Sequence, residues 1–180
     1  MTGVQTCALP IWEIVRAFNA RYGEVFPEPE AVFTDSPIIK GTDGANKMSK
    51  SLGNVVEIFG DEATIRRQVM SMVTDTERIR RTDPGRPQAC NVCQLHRQFG
   101  DDYQALWDGE KRAETGCVDT KRLLADRMLE RFAEARERHR ELSEKPGYVE
   151  EILRAGAERL APIAKVTIRE CHDRMGLGPV

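Results

Sequence analysis

The chain has 180 residues, 40% hydrophobic and 31% charged, with a formal net charge of -2 at pH 7. That suits one compact domain or a small domain joined to part of another, and it excludes a whole-molecule field attracting nucleic acid, so any RNA contact needs a locally basic face. No apolar run approaches the roughly 20 residues of a membrane span, the start has no signal-peptide pattern, and five irregularly spaced cysteines fit no disulfide framework; the expected setting is the reducing cytoplasm, without membrane association.

Met1–Ile11 shows neither a helical nor an alternating period and resembles the translation of a short-read sequencing adapter. Residues 1–11 are therefore expected to be foreign to the fold, and Cys7 to carry no function. From Trp12 to Tyr22, Ile14, Val15, Phe18 and Tyr22 recur at helical spacing with Glu13, Arg16 and Arg21 off that face, which predicts a short amphipathic helix. Gly23 is placed to end it and Pro27 and Pro29 to prevent its resumption, while Val32 and Phe33 predict a brief strand over Ala31–Thr34. Glycines, Pro37 and polar residues break every period between Ser36 and Asn54, which predicts a loop.

Helices are predicted from there on. Asp61 can cap one that carries Ile65, Val69, Met72 and Val73, broken by the proline-rich stretch Thr82–Pro87. Gln88–Trp107 has Val92, Leu95, Phe99, Tyr103 and Leu106 at helical spacing, with a split expected near Gly100. The longest helix is expected from about Val118 to Leu142, with Leu124, Met128, Phe132 and Ala135 as its stripe and Pro146 and Gly147 as its stop. Tyr148–Met175 repeats the pattern through Ile152, Leu153, Leu160, Ile163 and Val166, with Pro162 expected to bend or divide it.

The chemistry lies in the loop. Lys47-Met48-Ser49-Lys50-Ser51, preceded by Gly41-Thr42-Asp43-Gly44 and followed by Leu52-Gly53-Asn54, sets two ammonium groups on a glycine-flanked turn able to close over polyphosphate. Cations that meet the charge building on a departing pyrophosphate lower the barrier more than they stabilise the ground state. A P-loop needs Gly-Lys-Ser/Thr, whereas Asn46 precedes Lys47 here and Met48 follows it.

Lys47–Ser51 resembles the signature loop of class I aminoacyl-tRNA synthetases in its tryptophanyl form. Tyr22-Gly23-Glu24-Val25-Phe26, Met72-Val73-Thr74-Asp75, Arg81-Thr82-Asp83-Pro84 and Cys117–Leu124 resemble the same family, so the likeness runs from about Trp12 to Leu177. The resemblance implies a mainly α chain: residues 12–56 as the end of a Rossmann-type α/β nucleotide-binding domain (helix, short strand, signature loop), and residues 57–180 as a helical anticodon-binding bundle.

It implies ATP-dependent activation of tryptophan and transfer to tRNA(Trp), with ATP accompanied by Mg2+ as a substrate. Lys47, Met48, Ser49, Lys50 and Ser51 match the family's ATP-binding loop, Lys47 and Lys50 would be the catalytic pyrophosphate stabilisers, and Ile38 falls where the family's backbone contacts adenine. The family's His-containing signature and its tryptophan pocket do not occur in this sequence, so the chain by itself is expected to lack synthetase activity. The family forms homodimers; here oligomeric state stays open, as do a fragment of tyrosyl-tRNA synthetase and an RNA-binding helical module without catalysis.

Some tryptophanyl relatives carry an iron–sulfur cluster in the region of Cys90, Cys93 and Cys117. Here Thr120 stands where a further cysteine would complete the set, so no cluster and no metal is expected. Arg66, Arg67, Arg78, Arg80, Arg81 and Arg86 gather at the start of the bundle and could track tRNA phosphates, although Asp75, Glu77 and Asp83 interrupt them and ordinary ion pairs compete as an explanation. His96, His139 and His172 lie apart, with no partner at nucleophile spacing.

Overall fold

The computed structural model describes residues 5–33, 36 and 38–178, the side chains of residues 5–10 apart. The chain divides into two compact units, residues 1–38 with 142–180 and residues 39–141.

In the first unit α1 spans Gln5–Tyr22, so the helix expected from Trp12 begins earlier and includes Gln5–Ile11. Extending a helix that already has a nucleus fixes one residue per hydrogen bond, which lets it run upstream of its periodic part. Its end is built as expected: Gly23 takes φ 89° and returns its N–H to Asn19 O at 2.9 Å. The Asn19 side chain then ties the following turn, accepting from the amides of Val25 and Phe26 and donating to Phe26 O at 2.7 Å. Phe18 packs on Tyr22 and Phe26, and Val15 is buried.

The strand expected at Ala31–Thr34 is a correction. Ala31–Phe33 is irregular, Val32 is 96% exposed, and Thr34 lies outside the described residues. A strand needs a neighbour to satisfy its N–H and C=O groups, and no described segment supplies one beside it. Helix α7, Pro146–Met175, runs unbroken through Pro162 and buries none of its residues. Pro146 therefore opens a helix instead of closing one, because its missing N–H costs nothing in a first turn.

The second unit holds α2 (Glu62–Ser71), α3 (Asn91–His96), α4 (Tyr103–Lys111), α5 (Cys117–Arg131) and the start of α6 (Ala133–Ser143). Asp61 caps α2 as expected, accepting from Thr64 N at 2.7 Å. The predicted split near Gly100 falls between α3 and α4. The long helix expected from Val118 to Leu142 is instead two, interrupted at Phe132 (φ -101°, ψ 11°), whose ring meets Phe99 edge to face at 6.1 Å.

The core joins α2, α3 and α5. α5 packs on both of the others, so Leu124, Ala125 and Met128 share one core with Ile65, Val69 and Met72 and with Val92, Cys93 and Leu95. Apolar spacing of three and four residues sends these side chains to one face of each helix, and burial of each contributes roughly 1.5–3 kcal/mol. One ion pair is sealed beside this core: Arg78 to Glu110, with side chains 2% and 4% exposed. Arg78 Nη2 also donates to Arg81 O and Thr115 O, each at 2.8 Å.

Candidate active site

Residues 39–54 form a small closed structure. Lys40 and Lys47 make an antiparallel bridge, and the amides of Met48 and Gly41 reach Ile39 O and Asn46 O at 2.8 Å each. Asp43 turns the tip, its Oδ1 accepting from Ala45 N at 2.9 Å and Asn46 N at 3.0 Å. Lys50–Leu52 is a single 3-10 turn, ended by Gly53 at φ 65°.

Asn54, 4% exposed, sits under the loop and reads it from three sides. Its Oδ1 accepts from Ser49 N at 2.7 Å, while Nδ2 donates to Asp43 Oδ2 at 2.8 Å and Lys47 O at 3.2 Å. Those donated bonds, with Asn54 first among them, pull the Asp43 carboxyl down to about 2. A Cβ on Gly41 would lie 2.2 Å from Asn54 Nδ2 and 2.7 Å from Asn54 O, so this approach requires glycine. The base of the loop is held by the helical part: Asn91 Nδ2 donates to Gly41 O and Val73 N to Thr42 O, both at 2.8 Å.

Lys47 and Lys50 are exposed, Met48 and Ser49 half-buried, Ser51 exposed, and Ser49 Oγ lies 2.9 Å from Ser51 Oγ. Among the described residues neither ammonium has an ion-pair partner. Two solvated cations on a backbone fixed by buried side chains leave their charge available to an external polyphosphate. Ile38, 37% exposed, closes the other unit. Asp43, Asn54 and Asn91 were not singled out from sequence; the Asp-Gly turn at Asp43 was the one available signal.

The six arginines do not form one face. Arg78 is buried on Glu110 and is thereby withdrawn from any RNA-contacting set. Arg86 forks onto Asp75, with Nε bonds of 3.2 and 3.1 Å, and also pairs with Glu77. That guanidinium pulls the Asp75 carboxyl down to about 2. Arg66 bridges Glu62 and Asp126 at 2.8 and 2.7 Å, and Arg67 donates to Thr64 Oγ1 at 3.1 Å. Arg80 and Arg81 are exposed; Arg81 approaches Asp119 only at 3.7 Å, and Arg80 has no side-chain ion pair among the described residues.

Cys90 and Cys93 are buried at the start of α3, where Cys90 Sγ accepts from Cys93 N at 3.5 Å. A bond from the Cys93 thiol draws Cys90 below its usual range, while that same bond and burial push Cys93 above it. Thr120 donates its hydroxyl to Glu110 Oε1 and to Gly116 O, and no group of three potential metal ligands converges among the described residues. His96, fully buried, lies 2.9 Å from Thr120 O and 3.3 Å from Arg127, and desolvation lowers its pKa. No helix among the described residues is long and apolar enough to cross a membrane.

A helical bundle gripping a two-lysine loop of this sequence and closure defines the class: the chain belongs to the tRNA synthetases class I (W and Y), whose family model matches residues 12–133. Within it, the chain is 39% identical over 168 residues to the tryptophan–tRNA ligase of Thermotoga maritima, covering 92% of this chain and 51% of that protein. The tryptophan–tRNA ligase of Aquifex aeolicus is also 39% identical over 168 residues, with 42% of its length covered. The crystal structure of tryptophanyl-tRNA synthetase from Campylobacter jejuni complexed with ADP and tryptophan superimposes with a TM-score of 0.74 at 32% identity, over 98% of this chain and 56% of that one. The chain thus spans about half the length of the relatives it matches.

Proposed function

We propose that this segment supplies the pyrophosphate-stabilising loop and the tRNA-binding bundle of a tryptophan–tRNA ligase. The observation that carries the reading is the exposure of Lys47 and Lys50, which have no ion-pair partner among the described residues, on a loop fixed by Asn54 and Asp43. When the tryptophan carboxylate attacks the α-phosphorus of ATP, the bond to the bridging oxygen breaks and charge gathers on the departing pyrophosphate. Two ammonium groups already positioned there stabilise that charge without reorganising, an effect typically worth about 10²–10³ in rate for each removed donor. Ser49 and Ser51 add hydroxyls beside the phosphates, and Ile38 would offer its backbone to adenine.

The bundle's part is to hold tRNA(Trp), with Arg66, Arg67, Arg80 and Arg81 as its phosphate contacts and unstacked loop bases as the target, since RNA is read mainly in single strands. Alone, the 180 residues are expected to bind pyrophosphate but not to exchange it with ATP. Titration of the purified chain with pyrophosphate, followed by 31P NMR, should show binding that Lys47→Ala/Lys50→Ala abolishes. Equal binding by the double variant would remove the loop from the reading.

A further inference from the structure

The short hairpin that carries Lys47 sets a third ammonium beside it. The amides of Gly41 and Met48 reach Asn46 O and Ile39 O at 2.8 Å each, on either side of the Lys40–Lys47 bridge. Lys40 and Lys47 are therefore a non-hydrogen-bonded pair of the ladder, the kind whose Cα atoms lie about 4.5 Å apart and whose side chains come closest. The neighbours settle which way they face. Ile39 and Met48 pack against the bundle core, so Lys40 and Lys47, one position along on each arm, turn together to the opposite, exposed face.

Like charges directly opposite one another destabilise a strand pair. Among the described residues no carboxylate offsets this one: Lys40, like Lys47, has no ion-pair partner. Asp43 is the one acidic residue of 39–54. Its oxygens already accept from Ala45 N, Asn46 N, Asn46 Nδ2 and Asn54 Nδ2, at 2.8 to 3.2 Å. Those four donors fill the roughly four acceptor positions of a carboxylate, which leaves none for a lysine. Residues 39–54 thus hold three lysines against one occupied acid, in a chain whose net charge is -2. Two ammonium groups held side by side at the surface lower their energy by sharing an anion.

We propose that Lys40 is a third pyrophosphate-binding residue, forking with Lys47 onto the same phosphate group. This rests on the reading of Lys47 and Lys50 as the pyrophosphate-stabilising pair and extends that set across the bridge. A polyanion seated between Lys40 and Lys47 relieves their repulsion, so the charge that costs stability in the free loop returns as affinity for the ligand.

The test uses the full chain and inorganic pyrophosphate, titrated by 31P NMR, with the lysines labelled at 13Cε for a direct reading. Pyrophosphate should shift the Lys40 signal together with that of Lys47 and leave that of Lys111, an exposed lysine paired with Asp108, in place. Lys40→Met, which keeps most of the side chain's length and removes its charge, should weaken pyrophosphate binding by about fivefold or more, whereas Lys40→Arg should stay within about twofold of wild type. Lys111→Met, which removes the same charge elsewhere in the unit, should bind like wild type. Lys40 is exposed, and circular dichroism checks that each variant is folded. An unmoved Lys40 signal, or Lys40→Met binding like wild type while Lys47→Ala/Lys50→Ala abolishes it, would overturn the assignment and leave the two-lysine reading standing; a wild-type chain that binds no pyrophosphate would overturn both.

Discussion

Replacing Asn54 by Ala removes the acceptor of Ser49 N, at 2.7 Å, and the donor to Lys47 O and Asp43. Asn54 is 4% exposed, and its truncation leaves the half-buried Ser49 amide without this acceptor. An orphaned buried donor costs about 1–3 kcal/mol. Taking about 2 kcal/mol, the loop's local opening should become roughly thirtyfold more frequent, since 1.4 kcal/mol is about tenfold. Native-state amide exchange by NMR reads this residue by residue: Ser49 should exchange about thirtyfold faster, with Leu124 in α5 unchanged. A second arm follows the carboxyl. With its largest lowering cause removed, Asp43 should titrate above about 2, and its contribution to loop stability, present above the ordinary carboxylate range and lost as pH falls through about 2, should fade at higher pH. Ser49 exchange unchanged in Asn54→Ala would refute the idea that this side chain fixes the loop.

Leu124 is fully buried between α2 and α3, so Leu124→Ala should destabilise the second unit by about 2–5 kcal/mol in urea unfolding, and a cost below about 1 kcal/mol would mean the core is looser than described. Asp75, held down to about 2 by Arg86, stabilises the fold above the ordinary carboxylate range and loses that contribution as pH falls through about 2. Asp75→Asn should flatten this limb of the acid unfolding curve, and an unaltered limb would contradict the pairing. His96 has its pKa lowered by burial, so its stabilising effect is present above the ordinary histidine value and is lost on acidification through its lower folded value. Stability of His96→Phe should vary less with pH over that window than wild type.

Part of the fold was legible because several helix boundaries are set locally. Asp61, Gly23 and the break around Gly100 act through local backbone chemistry, and the stripes of Ile65, Val69 and Leu124 follow from helical spacing alone. The lysine loop was legible as a string of residues. What holds it was not: Asn91 reaches Gly41 from 50 residues away, and Asn54 is one polar residue among many in a turn-rich stretch. Arg78 illustrates the same gap. Charge clusters read as solvated surface, yet this guanidinium is buried, its Nη groups held by Glu110 and by the carbonyls of Arg81 and Thr115. The expected strand at Ala31–Thr34 failed for the complementary reason: local preference for extended backbone has no ladder to complete. In α7, the interior Pro162 leaves the helix continuous, so its local penalty is absorbed without a break.

The most direct test of the central claim is tryptophan-dependent ATP–pyrophosphate exchange in a chimera whose matching half of the Thermotoga maritima ligase is replaced by this chain. The folded chimera should exchange, and Lys47→Ala and Lys50→Ala should each lower the rate by about 10²–10³. A folded chimera that binds ATP but shows no exchange, or one indifferent to both lysines, would contradict it.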